Sequence, residues 1–139
     1  MNPRLISGIQ PTGKLHIGNY LGALKNFVAL QDSGKYDCFF FVADYHSLTE
    51  TFRPEEKREQ ILSLAEDFLA AGLDPKKSTI FLQSAIPAHT ELATIMNNFM
   101  PLGELRRMTQ FKDKSESDPG NVNIGLFVYP ILMAADILL

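Results

Sequence analysis

Residues 8–19, Gly-Ile-Gln-Pro-Thr-Gly-Lys-Leu-His-Ile-Gly-Asn, decide the fold of this chain. The short apolar run before them, at residues 5–7, predicts a strand. From His16 onward apolar residues recur at helical spacing, which predicts a helix over residues 17–31. A strand that leads through a small-residue turn into a helix N-terminus presents unpaired N–H groups, and such ends bind phosphate. The same corner also occurs in αβ proteins that bind nothing there, so both interpretations stay open at this point.

The rest of the chain alternates predicted strands and helices. Further strands are predicted at residues 38–43 and 79–82, and helices at 54–72, 87–100, 102–108 and 124–139, the last bent or restarted near Pro130. Residues 112–123 are polar and predict a mobile loop. This order predicts an α/β fold, a parallel sheet with helices on both faces. Ligands of such sheets bind at the carboxyl ends of the strands, which is where residues 8–19 and 44–46 fall.

Composition excludes several classes of protein. The chain has 139 residues, enough for one domain. With 13 Lys and Arg against 16 Asp and Glu, it gives no sign of broad nucleic-acid binding. Cys38 is the single cysteine, so neither a disulfide framework nor a metal cluster is expected, and we predict a reducing, cytoplasmic location. The apolar stretch 124–139 is short and contains Pro130 and Asp136, so no membrane span is predicted. The N-terminus has no apolar run after a basic start, so no signal peptide is predicted.

The final predicted helix carries one carboxylate among apolar residues. Tyr129, Met133 and Asp136 are spaced i, i+4, i+7 and therefore share a helix face. An unpaired buried charge is costly, so the Asp136 side chain must be exposed, paired or functional. A structural ion pair with Arg106 or Arg107 is the ordinary explanation, and a ligand site is the alternative.

Five motifs together resemble the tryptophanyl-tRNA synthetases of bacterial type, which are class I aminoacyl-tRNA synthetases. Residues 11–19, Pro-Thr-Gly-Lys-Leu-His-Ile-Gly-Asn, resemble the His-Ile-Gly-His signature of that class, with Asn19 in the last position. Four more segments resemble the tryptophanyl family: Asp-Tyr-His-Ser-Leu-Thr at 44–49, Ile-Phe-Leu-Gln-Ser at 80–84, Gly-Glu-Leu-Arg-Arg-Met-Thr-Gln-Phe-Lys at 103–112, and Tyr-Pro-Ile-Leu-Met-Ala-Ala-Asp-Ile-Leu-Leu at 129–139. The resemblance covers the whole chain and implies the first half of a Rossmann-like catalytic domain.

The resemblance implies a tryptophan–tRNA ligase that uses ATP with Mg2+ as substrate and no prosthetic group. Its partners would be L-tryptophan, ATP and tRNA(Trp), and the complete enzyme would be a homodimer. It implies catalytic roles for His16, Asn19 and Lys112, and contacts to ATP from Gln10, Pro11, Thr12, Gly18 and Asn19. It implies a tryptophan site formed by Asp136, Met133, Tyr129, His46 and Ile6, in which Asp136 accepts a hydrogen bond from the indole N–H. Ile6 stands where some members of the family have Phe.

Several features of the family are not found in these 139 residues. They are the Lys-Met-Ser-Lys-Ser signature, a Gly-Glu-Asp segment that contacts ATP, and the helical anticodon-binding domain. We therefore expect an N-terminal fragment, residues 1–139 forming one partial catalytic domain that turns over poorly alone. The alternatives are a tyrosyl-tRNA synthetase, a small nucleotidyltransferase such as the enzyme that makes dephospho-coenzyme A, and a non-catalytic fragment that binds ATP or tryptophan.

Overall fold

The computed structural model describes residues 2–117, 120 and 122–139. The chain divides into two compact units. The sheet unit comprises Met1–Asp44 and Phe52–Ala85, and the helical unit comprises Tyr45–Thr51 and Ile86–Leu139.

The described part of the sheet unit contains a three-stranded parallel sheet in the order β1-β2-β3. The strands are β1 (Arg4–Ile9), β2 (Asp37–Val42) and β3 (Thr79–Leu82). A helical segment connects β1 to β2, as α1 (Ile17–Asn19), a π-helical turn (Tyr20–Leu24) and α2 (Lys25–Asp32). Helix α3 (Pro54–Ala70) precedes β3, and a short 3-10 turn (Gln83–Ala85) follows it.

Local sequence explains both ends of α3. Pro54 takes the first helical position, where a missing N–H costs nothing, and Glu55 and Glu56 lie in the first turn near the positive end of the helix dipole. At the other end Gly72 adopts φ 111°. Its N–H donates to the Leu69 carbonyl at 3.0 Å, and the Leu73 N–H donates to the Phe68 carbonyl at 3.1 Å. These two bonds form a Schellman motif, for which glycine is the favoured residue.

The core of the sheet unit lies on one face of β2. Cys38, Phe40 and Val42 alternate along that strand and are buried in one cluster. Phe27 of α2 stacks on Phe40 with ring centroids 4.6 Å apart, and Phe68 of α3 meets Phe27 edge-on at 6.4 Å. Burial of each such side chain contributes roughly 1.5–3 kcal/mol, so this cluster anchors both helices to the sheet.

The helical unit contains a 3-10 turn (His46–Thr49), α4 (Ala88–Asn97), α5 (Leu102–Arg107), α6 (Thr109–Ser117) and α7 (Ile124–Leu138). Asn123 caps α7, because its Oδ1 accepts the Leu126 N–H at 2.9 Å, and its Nδ2 donates to the Thr49 carbonyl at 3.0 Å. α7 packs against α4 and against the 46–49 turn. Among the described residues, no helix is both long and apolar enough to cross a membrane.

The predicted elements are found, with one exception and a few changes of boundary. The loop predicted at 112–123 is wrong over residues 112–117, which belong to helix α6, while positions 118, 119 and 121 of that prediction lie outside the described residues. Phe111 packs edge-on against Phe127 of α7 at 5.0 Å, a tertiary contact that stabilises a segment of polar sequence as a helix. α7 continues through Pro130, so no restart is seen there.

Candidate functional site

The loop of residues 10–16, which contains Gly13, follows β1 at the carboxyl edge of the sheet. The Ala43 N–H donates to the Ile9 carbonyl at 2.8 Å, so the ends of β1 and β2 remain adjacent past the last pair of the ladder. Asp44 extends this edge to the third strand, because its Oδ1 accepts the Ser84 N–H at 3.0 Å. The loop and Asp44 therefore occupy the edge where parallel α/β sheets bind ligands.

His16 and Asn19 form a reciprocal cap at the start of α1. Nδ1 of His16 accepts the Gly18 N–H at 3.1 Å, and Oδ1 of Asn19 accepts the His16 N–H at 3.1 Å. A ring nitrogen that accepts a hydrogen bond carries no hydrogen, so the neutral imidazole holds its proton on Nε2. The cap thus fixes the tautomer of His16 and leaves Nε2–H as a donor on an exposed side chain.

The His16 ring lies close to Gly18. A Cβ built on Gly18 would lie 2.9 Å from both Cε1 and Nδ1 of His16, closer than real Cβ contacts allow. Immediately after Asn19 the chain forms the π-helical turn Tyr20–Leu24, in which the Lys25 N–H reaches the Tyr20 carbonyl. Such turns occur frequently at functional sites.

The loop is supported from within by a buried lysine. Lys57 of α3 is only 9% exposed, and its Nζ donates to the Pro11 carbonyl at 3.2 Å. The same ammonium lies 5.2 Å from the centroid of the Phe52 ring. Pro11 itself is fully buried, so it acts on a ligand only through the shape of the loop, whereas the side chains of Gln10 and Thr12 are exposed. Sequence reasoning did not find Lys57, because nothing in its helical pattern marks a lysine as buried.

Asp136 lies at the centre of the helical unit's polar cluster. Asp136 is 2% exposed, and its Oδ2 lies 2.7 Å from Nε2 of His46. Oδ1 lies 2.8 Å from Nδ1 of His89, at the first turn of α4. This second contact is electrostatic, within ion-pair distance. No set of three or more His, Cys, Asp or Glu within the described residues is arranged to hold a metal ion.

The structural pairing considered from sequence, Asp136 with Arg106 or Arg107, is wrong. Arg107 instead pairs with Glu104 one helical turn earlier, which raises the pKa of its guanidinium, and Arg106 is exposed. The histidines replace the arginines because the 46–49 turn and α4 both pack on α7. His89 was missed by sequence reasoning. The chain has only three histidines, and the other two were assigned to sites, so the low histidine count was a signal that could have pointed to His89.

Tyr129 lies two turns and Met133 one turn before Asp136 on α7. Met133 is 45% exposed, and Tyr129 is half-buried, which raises the pKa of its phenol. The phenol is therefore neutral near pH 7 and can donate as well as accept a hydrogen bond. Lys112 is exposed on helix α6 rather than on a loop. Ile6 is half-buried in β1 opposite Phe39 of β2.

The whole chain, residues 1–139, matches the family model of tRNA synthetases class I (W and Y). The chain belongs to this family. Among curated relatives of the synthetase family, it is 53% identical over 139 residues to the tryptophan–tRNA ligase of Rickettsia conorii, covering all of this chain and 42% of that protein. It is 56% identical over 137 residues to the tryptophan–tRNA ligase of Fusobacterium nucleatum, covering 98% of this chain and 41% of the relative.

A solved synthetase structure has the same fold. The tryptophanyl-tRNA synthetase of Campylobacter jejuni, in complex with ADP and tryptophan, superposes with a TM-score of 0.88 at 43% identity, covering 96% of this chain and 41% of the other. The fold is therefore the Rossmann-like α/β arrangement of class I synthetases, as predicted. The chain spans about two fifths of the length of the relatives it matches.

Proposed function

We propose that this chain is part of a tryptophan–tRNA ligase, which activates L-tryptophan with ATP and transfers it to tRNA(Trp). The observation that carries the proposal is the buried Asp136 carboxylate, contacted by His46 and His89, in a chain 53% identical to a named tryptophan–tRNA ligase. A carboxylate is a strong acceptor and donates nothing when ionised, so it suits an N–H donor such as indole.

Tryptophan would be recognised by residues of the helical unit, and the family resemblance separately assigns a tryptophan-binding role to Ile6. Asp136 accepts the hydrogen bond of the indole N–H, and Met133 and Tyr129 present apolar surface on the same helix face. His46 orients the carboxylate through its 2.7 Å contact. A site that hydrogen-bonds a substrate N–H strongly rejects analogues that lack it, because its own buried polar group is then left unpaired.

Activation would use His16, Asn19 and the loop before them. A carboxylate oxygen of tryptophan attacks the α-phosphorus of magnesium–ATP, a P–O bond to the β-phosphate breaks, and pyrophosphate leaves. Catalysis of this step consists of positioning and of stabilising charge on phosphate oxygens. The Nε2–H of His16, fixed by the cap, is a neutral donor suited to that charge. Gln10, Thr12, Gly18 and Asn19 contact the nucleotide, and Pro11 shapes the loop. The family resemblance assigns a catalytic role to Lys112 as well.

The remaining parts of the enzyme belong to the same proposal. We assign residues 1–139 to the first half of a catalytic domain in a cytoplasmic, homodimeric synthetase. The second half, the Lys-Met-Ser-Lys-Ser loop and the anticodon-binding domain lie outside these residues. A tyrosyl enzyme is the weaker candidate, because the curated relatives at 53–56% identity are tryptophan–tRNA ligases.

The test is amino-acid-dependent ATP–pyrophosphate exchange by the complete synthetase carrying these residues. Exchange should require tryptophan, and tyrosine should not replace it. Asp136→Asn keeps the size of the side chain but exchanges a charged acceptor for an amide. It should lower kcat/KM for tryptophan about 5- to 10-fold, since a hydrogen bond to a charged group contributes roughly 1–1.5 kcal/mol more than one to a neutral group. Exchange driven by tyrosine, or unchanged tryptophan kinetics in a folded Asp136→Asn variant, would contradict the assignment.

A further inference from the structure

His89 is a buried histidine to which the proposed function assigns no role in the catalytic step or in the nucleotide site. It is 3% exposed and lies in the first turn of α4. Its Nδ1 is 2.8 Å from Oδ1 of Asp136, which is itself 2% exposed. Two polar groups this deeply buried are retained only where they satisfy each other or serve a ligand.

The two histidines contact opposite oxygens of one carboxylate. His46 reaches Oδ2 through Nε2, and His89 reaches Oδ1 through Nδ1. Because an ionised carboxylate only accepts, the Nε2 of His46 that faces it carries hydrogen, and Nδ1 of His89 contacts the other oxygen within ion-pair distance. One contact would leave the carboxylate free to turn about the bond to its Cβ, whereas a contact on each oxygen fixes its plane.

The plane of the carboxylate decides where its acceptor directions point. An ionised carboxylate has about four lone-pair sites, which is more than the two histidine contacts use. A ligand N–H forms a strong hydrogen bond only near the lone-pair direction, and the bond weakens steeply when it is misaligned. A group that fixes the plane therefore contributes to recognition of the N–H without touching the ligand.

We propose that His89 is a positioning residue for tryptophan specificity, holding the Asp136 carboxylate in the orientation that receives the indole N–H. This inference rests on the proposed function. It adds a residue that acts through Asp136, and it predicts an effect confined to substrates that carry the N–H.

The experiment compares two amide replacements of His89 in the complete synthetase. In His89→Asn the side-chain nitrogen is as many bonds from Cβ as Nδ1, so it can keep a polar N–H next to Oδ1 of Asp136. In His89→Gln the nitrogen corresponds to Nε2 and cannot occupy the Nδ1 position. Both variants keep a polar amide, so the comparison does not depend on an apolar replacement folding; His89→Leu serves as the additional variant without a donor.

The substrates are tryptophan and its analogue with a benzothiophene ring, in which sulfur replaces the indole N–H. For tryptophan, His89→Gln and His89→Leu should raise KM in the exchange reaction about tenfold with little change in kcat, and His89→Asn should stay within about threefold of the parent. For the sulfur analogue all variants should match the parent within about twofold, because that substrate never forms the bond. The discrimination between the two substrates should therefore fall in the Gln and Leu variants.

Equal losses for both substrates, no loss in His89→Gln, or failure of His89→Asn to retain discrimination would overturn the positioning role. Thermal unfolding of each variant identifies a purely structural effect, which would lower the two activities together. The proposed function fails separately: in that case the parent enzyme itself shows no tryptophan-dependent exchange. A parent that activates tryptophan while the His89 variants lose both substrates equally would refute only the present inference.

Discussion

The imidazole of His16 forms a bond to the backbone that determines its chemistry. Acceptance of the Gly18 N–H by Nδ1 uses one ring nitrogen and leaves the proton on the other. The motif around it is local in sequence, so the sequence and its resemblance predict a donor role for His16. The tautomer could not, because it depends on a 3.1 Å contact rather than on residue type.

Gly18→Ala should damage catalysis more than folding. The added Cβ would lie 2.9 Å from the His16 ring, so the ring must move and the cap bond is lost. We expect kcat for exchange by the complete synthetase to fall at least about tenfold, with little change in KM for tryptophan. Gly22→Ala is the matched control, since nothing lies within 4 Å of a Cβ built there. Equal kcat values in the two variants would show that a Cβ at position 18 does not disturb the catalytic role of the His16 ring.

Lys57→Ala should destabilise the fold. Its ammonium is buried and bonded to the Pro11 carbonyl, so the truncation removes a charge-assisted bond and leaves the carbonyl to find water. The free energy of unfolding should fall by about 1–3 kcal/mol, measured by chemical denaturation. Lys76→Ala, at an exposed position, should change it by less than about 0.5 kcal/mol. Comparable effects from the two lysines would mean that the Pro11 contact contributes nothing.

At the scale of elements, the strands and most helices follow from sequence, because their signals lie within a few residues. Pro54 and Gly72 fixed the start and end of α3, and the apolar run at residues 38–43 matched β2. Helix α6 was missed because its polar sequence resembles a loop, and the contact that stabilises it joins Phe111 to Phe127 on another helix. The π-helical turn at Tyr20–Leu24 also has no sequence signature that we recognise.

Asn123 connects two elements, so its replacements should separate two effects. Asn123→Ala removes both the cap of α7 and the bond to Thr49, whereas Asn123→Asp keeps an acceptor for the Leu126 N–H and loses the donor. We expect the alanine variant to lose about 1–2 kcal/mol of stability in chemical denaturation, and the aspartate variant to lose less. If aspartate matches the parent, the Thr49 bond does not stabilise the 46–49 turn. If aspartate matches alanine, the cap does not stabilise α7.

At the scale of the whole molecule, sequence reasoning fails for partners that are distant along the chain. Asp136 was singled out as a carboxylate on an apolar helix, but its true partners lie on the 46–49 turn and on α4. No local period connects those positions, so the nearest arginines were the natural choice. The roles of Lys112, Ile6 and the nucleotide contacts stay predictions from family resemblance.

Cys38 should report unfolding of the sheet unit. The thiol is 1% exposed, and burial, followed by the charge of Asp37, raises its pKa. It should react with iodoacetamide at pH 8 at least about 100-fold more slowly than in denaturant, because only the thiolate attacks and the native thiol is inaccessible. A raised folded pKa contributes stability that is complete below the unfolded pKa of about 8.5 and is lost as pH rises toward the folded value. Fast native alkylation would contradict the burial.

The sequence separation between Asp136 and His46 also determines when their contact can form during translation of the chain. His16 and Asn19 are three positions apart, so their cap can form as soon as a short segment exists. His46 must wait for a carboxylate 90 positions later. At about 5–20 residues per second the ribosome needs roughly 5–18 s to make that stretch. A nascent chain arrested before Asp136 is therefore expected to be able to form the His16–Asn19 cap but not the His46–Asp136 contact, so the cluster around Asp136 is completed only when almost all of these residues have been translated.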